Sequence, residues 1–146
     1  MPGKVPTRSP THEEVEPGRL AGMGLELEEL ASPDGKVTLR ALVELAEDRG
    51  RPASHYLVAI PLATELTVDP EGRPLVARVC AGTCQRYGAL DLLDHLVEHA
   101  AKPAIAPIEC LDRCDHGPAI ELRGPHGTLV LAPATKANLD EALGSL

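Results

Sequence analysis

Residues 74–100, PLVARVCAGTCQRYGALDLLDHLVEHA, pass from a strand pattern through a cysteine-bearing loop into a helix pattern. Residues 74–80 are a short apolar run that ends on Cys80, as a half-buried strand would. From Gly88 to Ala100, Leu90, Leu93, Leu96 and Val97 recur at helical spacing, so 88–100 is expected to be a helix with one buried face. A second pair of cysteines with the same spacing, Cys110 and Cys114, follows a second expected strand, AIAPIEC at 104–110. Each pair therefore starts at the C-terminal end of a strand and runs into a loop, Ala81–Thr83 and Leu111–Arg113. Strand ends lying side by side would bring the two loops to one edge. The 25 residues between Cys84 and Cys110 are accounted for by one helix and one strand, and these four are all the cysteines present.

The remaining elements frame this unit. PAIELRG (118–124) and TLVLAP (128–133) read as a hairpin around the turn GPHG at 124–127. TKANLDEAL (135–143) reads as a last helix, with Thr135 as cap and Leu139, Ala142 and Leu143 inward. The order from residue 74 is β-α-β-β-β-α, an α/β layer arrangement. Upstream, DPEG (69–72) is a turn and the expected boundary. TLRALVELAEDRG (38–50) is a helix with Thr38 at its start, Leu39, Leu42, Val43 and Ala46 on one face, and Gly50 as its stop. GLELEELA (24–31) is a short helix closed by the turn SPDG (32–35). ASHYLVAIPLATEL (53–66) carries two signals: Ser54 offers a helix cap, while Pro61 and the run Tyr56–Ile60 also fit a strand. Helix is the preferred reading. Residues 1–17, rich in Pro, Thr, Ser and charge, read as a disordered tail, 18–70 as a helical N-terminal segment, and 71–146 as the cysteine-bearing domain.

Composition narrows the function. Two tyrosines and no Phe or Trp leave the core to Leu, Val, Ile and Ala, where a metal or a partner subunit would add stability. A net charge of −8 argues against a nucleic-acid platform, which needs a basic face and stacking aromatics. The first twenty residues lack the apolar stretch of a secretory signal, and the longest apolar run, YLVAIPLA at 56–63, is too short to span a bilayer. A soluble, cytoplasmic chain without direct membrane insertion is expected. In that reducing compartment, paired cysteines are metal ligands or redox thiols more often than structural disulfides.

Three chemistries remain open on spacing alone. A [2Fe–2S] cluster takes four thiolates, two per iron, and Gly82 would let the chain come close to it while Gly117 and Pro118 shape the exit of the second loop. Zinc also accepts four cysteines at this spacing, although zinc knuckles sit on short hairpins and Cys84 leads toward a long helix. Thiol–disulfide chemistry is the third, with Cys84 near a helix start. Its usual Cys-x-x-Cys spacing is one residue shorter, and the second pair would have no role.

RVCAGTCQRYGALDLLDHL followed by IECLDRCDHGPAIEL resembles the thioredoxin-fold [2Fe–2S] ferredoxins. The likeness is greatest to the small iron–sulfur subunit of the NADH-dehydrogenase module of respiratory complex I and to its relatives in NAD-dependent hydrogenases and formate dehydrogenases. It covers roughly residues 36–146, with TLRALVELAEDRG similar to the family's N-terminal helix. The resemblance implies a thioredoxin-like domain carrying one [2Fe–2S] cluster. Cys80 and Cys84 would ligate one iron, and Cys110 and Cys114 the other. The implied role is one-electron transfer with a flavin/NAD(H)-binding subunit, and a homodimer stays open as an assembly. The chain departs from the family in three places. Its first cysteine loop has three residues instead of four, the Cys84–Cys110 interval is shorter, and LATELTV (62–68) stands where the family has an aromatic segment.

Other polar residues have plainer readings. His95 and His99, four apart, could hold a metal, but they share a polar helix face with Asp91 and Glu98 that reads as solvated. His116 reads as a loop residue near the cluster, and Arg86 and Arg113 as surface charges. Asp112 and Asp115 do not form a general acid–base pair, and Gly22 and Gly24 open no nucleotide-binding pattern. No bond-making chemistry by the chain alone is expected.

Overall fold

The computed structural model describes residues 12–98, 103–109 and 117–145. It is a mixed α/β structure with a four-stranded sheet and a two-stranded one. The first helix, α1 (Pro17–Leu30), is longer than the expected 24–31. Gly18 and Gly22 in its first half weaken the helical signal there. Pro17 starts it well because its missing N–H would be unpaired there anyway. Gly24 has a packing reason: a Cβ there would stand 3.1 Å from Thr64 Cγ2 and 3.2 Å from Ala63 Cβ, so its absence lets α1 lie close to the next-but-one helix.

After the strand β1 (Lys36–Val37) comes α2 (Leu39–Arg49), which forms as read. The Thr38 side chain accepts the Ala41 N–H, and Gly50 takes the left-handed conformation at φ 66° that ends the helix. Residues 53–66 resolve to a helix, α3 (Ala53–Ala63). Its N-cap is Pro52 and not Ser54, and Pro61 falls in the last turn, where it interrupts little of the ladder. Tyr56 to Ile60 are all buried, so α3 is apolar around its circumference and must be covered on several sides. It packs against α1 and α2 and also against the elements of the larger sheet. One apolar core thus continues from Leu20 and Met23 through Tyr56 and Leu57 to Ile105, Ile120 and Leu139. The strand β2 (Thr67–Val68) pairs in parallel with β1.

The four-stranded sheet is built from β3 (Val76–Cys80), β4 (Ala104–Ile108), β5 (Ile120–Gly124) and β6 (Gly127–Leu131). Its order is β4-β3-β5-β6. The β3–β4 pair is parallel, while β3–β5 and β5–β6 are antiparallel. Parallel neighbours need a crossover, and α4 (Ala89–Glu98) provides it. The helix expected at 88–100 is described as far as Glu98. Gly124 pairs with Gly127, so Pro125 and His126 form the two-residue hairpin turn. The last helix, α5 (Lys136–Ser145), begins with a reciprocal cap: Asn138 N–H donates to Thr135 Oγ1 at 3.0 Å, and Thr135 N–H donates to Asn138 Oδ1 at 2.7 Å. From β3 onward the element order is the expected β-α-β-β-β-α.

One expected junction differs. Cys84 does not lead directly into the long helix. It lies in a separate 3₁₀ turn, Thr83–Tyr87, and Gly88 at φ 104° breaks that turn from α4. A 3₁₀ turn is too short for the hydrophobic period to reveal it.

Candidate metal and thiol site

The site grows from the end of β3. In the parallel register Cys80 sits opposite Ile108, so β3 and β4 finish side by side as the sequence predicts. Beyond the strands the main chains stay joined. Ala81 N–H donates to the Ile108 carbonyl at 2.7 Å, and Gly82 N–H to the Glu109 carbonyl at 3.1 Å. A side chain at position 82 would not allow this, because its Cβ would lie 2.6 Å from the Glu109 oxygen. Gly82 thus sets the approach of the first cysteine loop to the chain segment that precedes Cys110.

Cys80 and Cys84 are buried, 1% and 0% exposed, and form a small apolar group of their own with Ala89. The Cys80 thiol donates to the Glu109 carbonyl at 3.6 Å. Ligation of a metal would require that proton to leave. Cys110 and Cys114 lie outside the described residues, as do His99, Asp112, Arg113, Asp115 and His116. Among the described residues no group of three or more His, Cys, Asp or Glu could hold a metal ion.

What the structure describes of the donor set fits an iron–sulfur centre. Cys80 ends β3 and Cys84 lies in the turn that follows, both buried in apolar surroundings, and Gly82 between them lets the loop lie close to the Glu109 main chain. Cys80 and Cys84 could supply half of a four-thiolate set, with Cys110 and Cys114 the other half by sequence.

Gln85 was missed in the sequence. It is 2% exposed. Its Nε2 donates to the Ala81 carbonyl at 2.7 Å, and its Oε1 accepts the Val15 N–H at 2.9 Å. A glutamine between Cys84 and Arg86 carries no signal of burial, since Gln is most often exposed.

His95 and the two aspartates of α4 tie the helix to neighbouring segments. His95 Nε2 lies 2.7 Å from Asp140 Oδ1 and ties α4 to α5. Asp94 takes the Ser54 N–H at 2.9 Å and the Ser54 hydroxyl at 2.8 Å, which gives Ser54 a role other than the expected cap. Asp91 is 3.0 Å from His12 Nε2. Arg86, read as a surface charge, pairs with Glu14 at 3.2 Å. Burial pushes the His55 imidazole below its ordinary value, against the pull of Asp94.

No family model matches the sequence, and a search of curated proteins returns no match.

Proposed function

We propose that the chain is an electron-transfer subunit with one [2Fe–2S] cluster on Cys80, Cys84, Cys110 and Cys114. The observation that carries this reading is the joined end of β3 and β4. Two buried thiols sit there, and the main chain that next enters Cys110 is hydrogen-bonded to the loop between them. The sheet order β4-β3-β5-β6, with one parallel and two antiparallel pairs, supports a thioredoxin-like domain. When bound, such a cluster takes up and releases one electron at a time. The chain's own part is to hold the thiolates, exclude water and present the loop to a partner. That partner is a flavin/NAD(H)-binding subunit of a larger oxidoreductase in the cytoplasm. Among the described residues no helix is long and apolar enough to cross a membrane.

A thiol oxidoreductase is less favoured. Cys84 is fully buried, and Gly88 separates its turn from α4, so the helix dipole does not act on it directly. Anaerobic purification tests the proposal. A brown protein with two irons per chain and an EPR signal on reduction is expected, and Cys→Ser at any of the four positions should weaken or abolish it. A colourless chain with one tight zinc would replace the reading with a zinc-stabilised module. An unchanged visible spectrum after Cys114→Ser would contradict the ligand set.

A further inference from the structure

Residues 12–16 run along the 3₁₀ turn that contains Cys84 and are fastened to it at several points. His12 N–H donates to the Arg86 carbonyl at 3.1 Å, and Glu14 pairs with the Arg86 side chain at 3.2 Å. The His12 ring lies over Gly88, where a methyl group would stand 3.4 Å from its Cε1. Val15 is buried, and its N–H is taken up by Gln85. The same Gln85 amide holds the carbonyl of Ala81, inside the loop between the two cysteines. One side chain therefore joins an N-terminal strap, the Cys84 turn and the Cys80–Cys84 loop. A glutamine suits that place because its amide offers a donor and an acceptor together without a charge.

We infer that Gln85 is a positioning residue that locks the strap of residues 12–16 onto the cysteine loop and keeps Cys84 closed to solvent. Loss of either of its bonds leaves a buried polar group unpaired and lets the turn open locally. Only the metal arm of the test below rests on the iron–sulfur reading.

The test uses the full chain and the variants Gln85→Leu and Val15→Pro. The last removes the N–H that Gln85 accepts and lies outside every helix and strand. The metal-free, reduced protein is alkylated with iodoacetamide, and Cys80 and Cys84 are followed separately by peptide mass mapping. Gln85→Leu and Val15→Pro should each raise the Cys84 rate by about tenfold relative to Cys80, with circular dichroism unchanged. An unchanged Cys84:Cys80 ratio in folded variants overturns the inference. So does an equal rise at both cysteines, which would mark general loosening. If Gln85→Leu fails to fold, Val15→Pro decides.

In the iron-loaded protein, both variants should lose visible absorbance to a chelator about tenfold faster than the parent. A chain that takes up no iron defeats the cluster reading, while the alkylation ratio still decides the strap.

Discussion

Glu26 and Gln85 each tie together segments remote in sequence, one with a charge and the other without. Glu26, on α1, meets Arg49 Nε at 2.5 Å, Arg51 at 3.2 Å and the Tyr56 hydroxyl at 2.8 Å, so a carboxylate joins all three N-terminal helices and their connection. Arg51 also donates to the Tyr56 hydroxyl and lies over its ring, 5.9 Å from the centroid. Gln85 joins the strap to the cysteine loop through a neutral amide. The difference follows from the neighbours. Two guanidinium groups at the helical end need a negative partner. The cysteine end holds thiols that, in the proposed role, would have to ionise to bind a metal, and a carboxylate beside them would oppose that ionisation. The helical node is built for cohesion, and the loop node for holding a shape without adding charge.

The comparison breaks most visibly if the two ends are not separable. Tyr56 is fully buried, so Tyr56→Ala should cost about 3–5 kcal/mol from lost burial and the cavity left behind. Thermal denaturation would show a large drop in Tm. Below the transition, the relative alkylation of Cys84 and Cys80 should stay as in the parent. A selective opening of Cys84 in this variant would mean that the helical node also holds the loop.

Gly82→Ala attacks the other end. The added methyl meets the Glu109 carbonyl at 2.6 Å, and backbone on both sides must give way. Overpacking of this kind costs about 1–3 kcal/mol. Its signature should be local: a modest fall in Tm, with iron retention after desalting reduced far more than Tm alone would predict. Iron content equal to the parent's would sink the idea that the glycine sets the approach of the two loops.

These two positions also show what the sequence could and could not reveal. Gly82 stood out in the sequence as the place where the chain could approach a cluster, and the structure gives it a different close approach, to the Glu109 main chain. The β-α-β-β-β-α order and the caps at Thr38 and Thr135 were legible because periodicity and capping are local, and both persist in the fold. Gln85, Ser54 and Gly24 were not. Each is defined by a partner far along the chain, Val15, Asp94 or Thr64, and no local pattern names such a partner. The first half of α1 was hidden by Gly18 and Gly22, which lower helix propensity, while Gly24 at its middle allows the close contact with α3. Tertiary packing overrode the local preference there.

The smallest expected effect sharpens the charged side of the comparison. Hydrogen bonding from Arg49 is the main force holding the Glu26 carboxyl below its ordinary value of 4.5, with the Tyr56 hydroxyl and the charges of Arg49 and Arg51 acting the same way against burial. A carboxyl whose folded pKa is depressed contributes stability that is fully present above the unfolded value and is lost as pH falls through the folded one. The parent should therefore lose stability as pH drops below about 4.5, beyond the loss seen in Glu26→Gln. At neutral pH the substitution should cost about 1 kcal/mol, a figure kept small because the pair is partly solvated. Glu121 is depressed in the same direction, first by its hydrogen bond from Arg78, so both proteins will share part of the acid slope. The difference between the two curves isolates Glu26. Denaturant unfolding from pH 7 to pH 3 would measure it, and parallel curves would show that the helical node owes its cohesion to Tyr56 and apolar packing instead of to its charge.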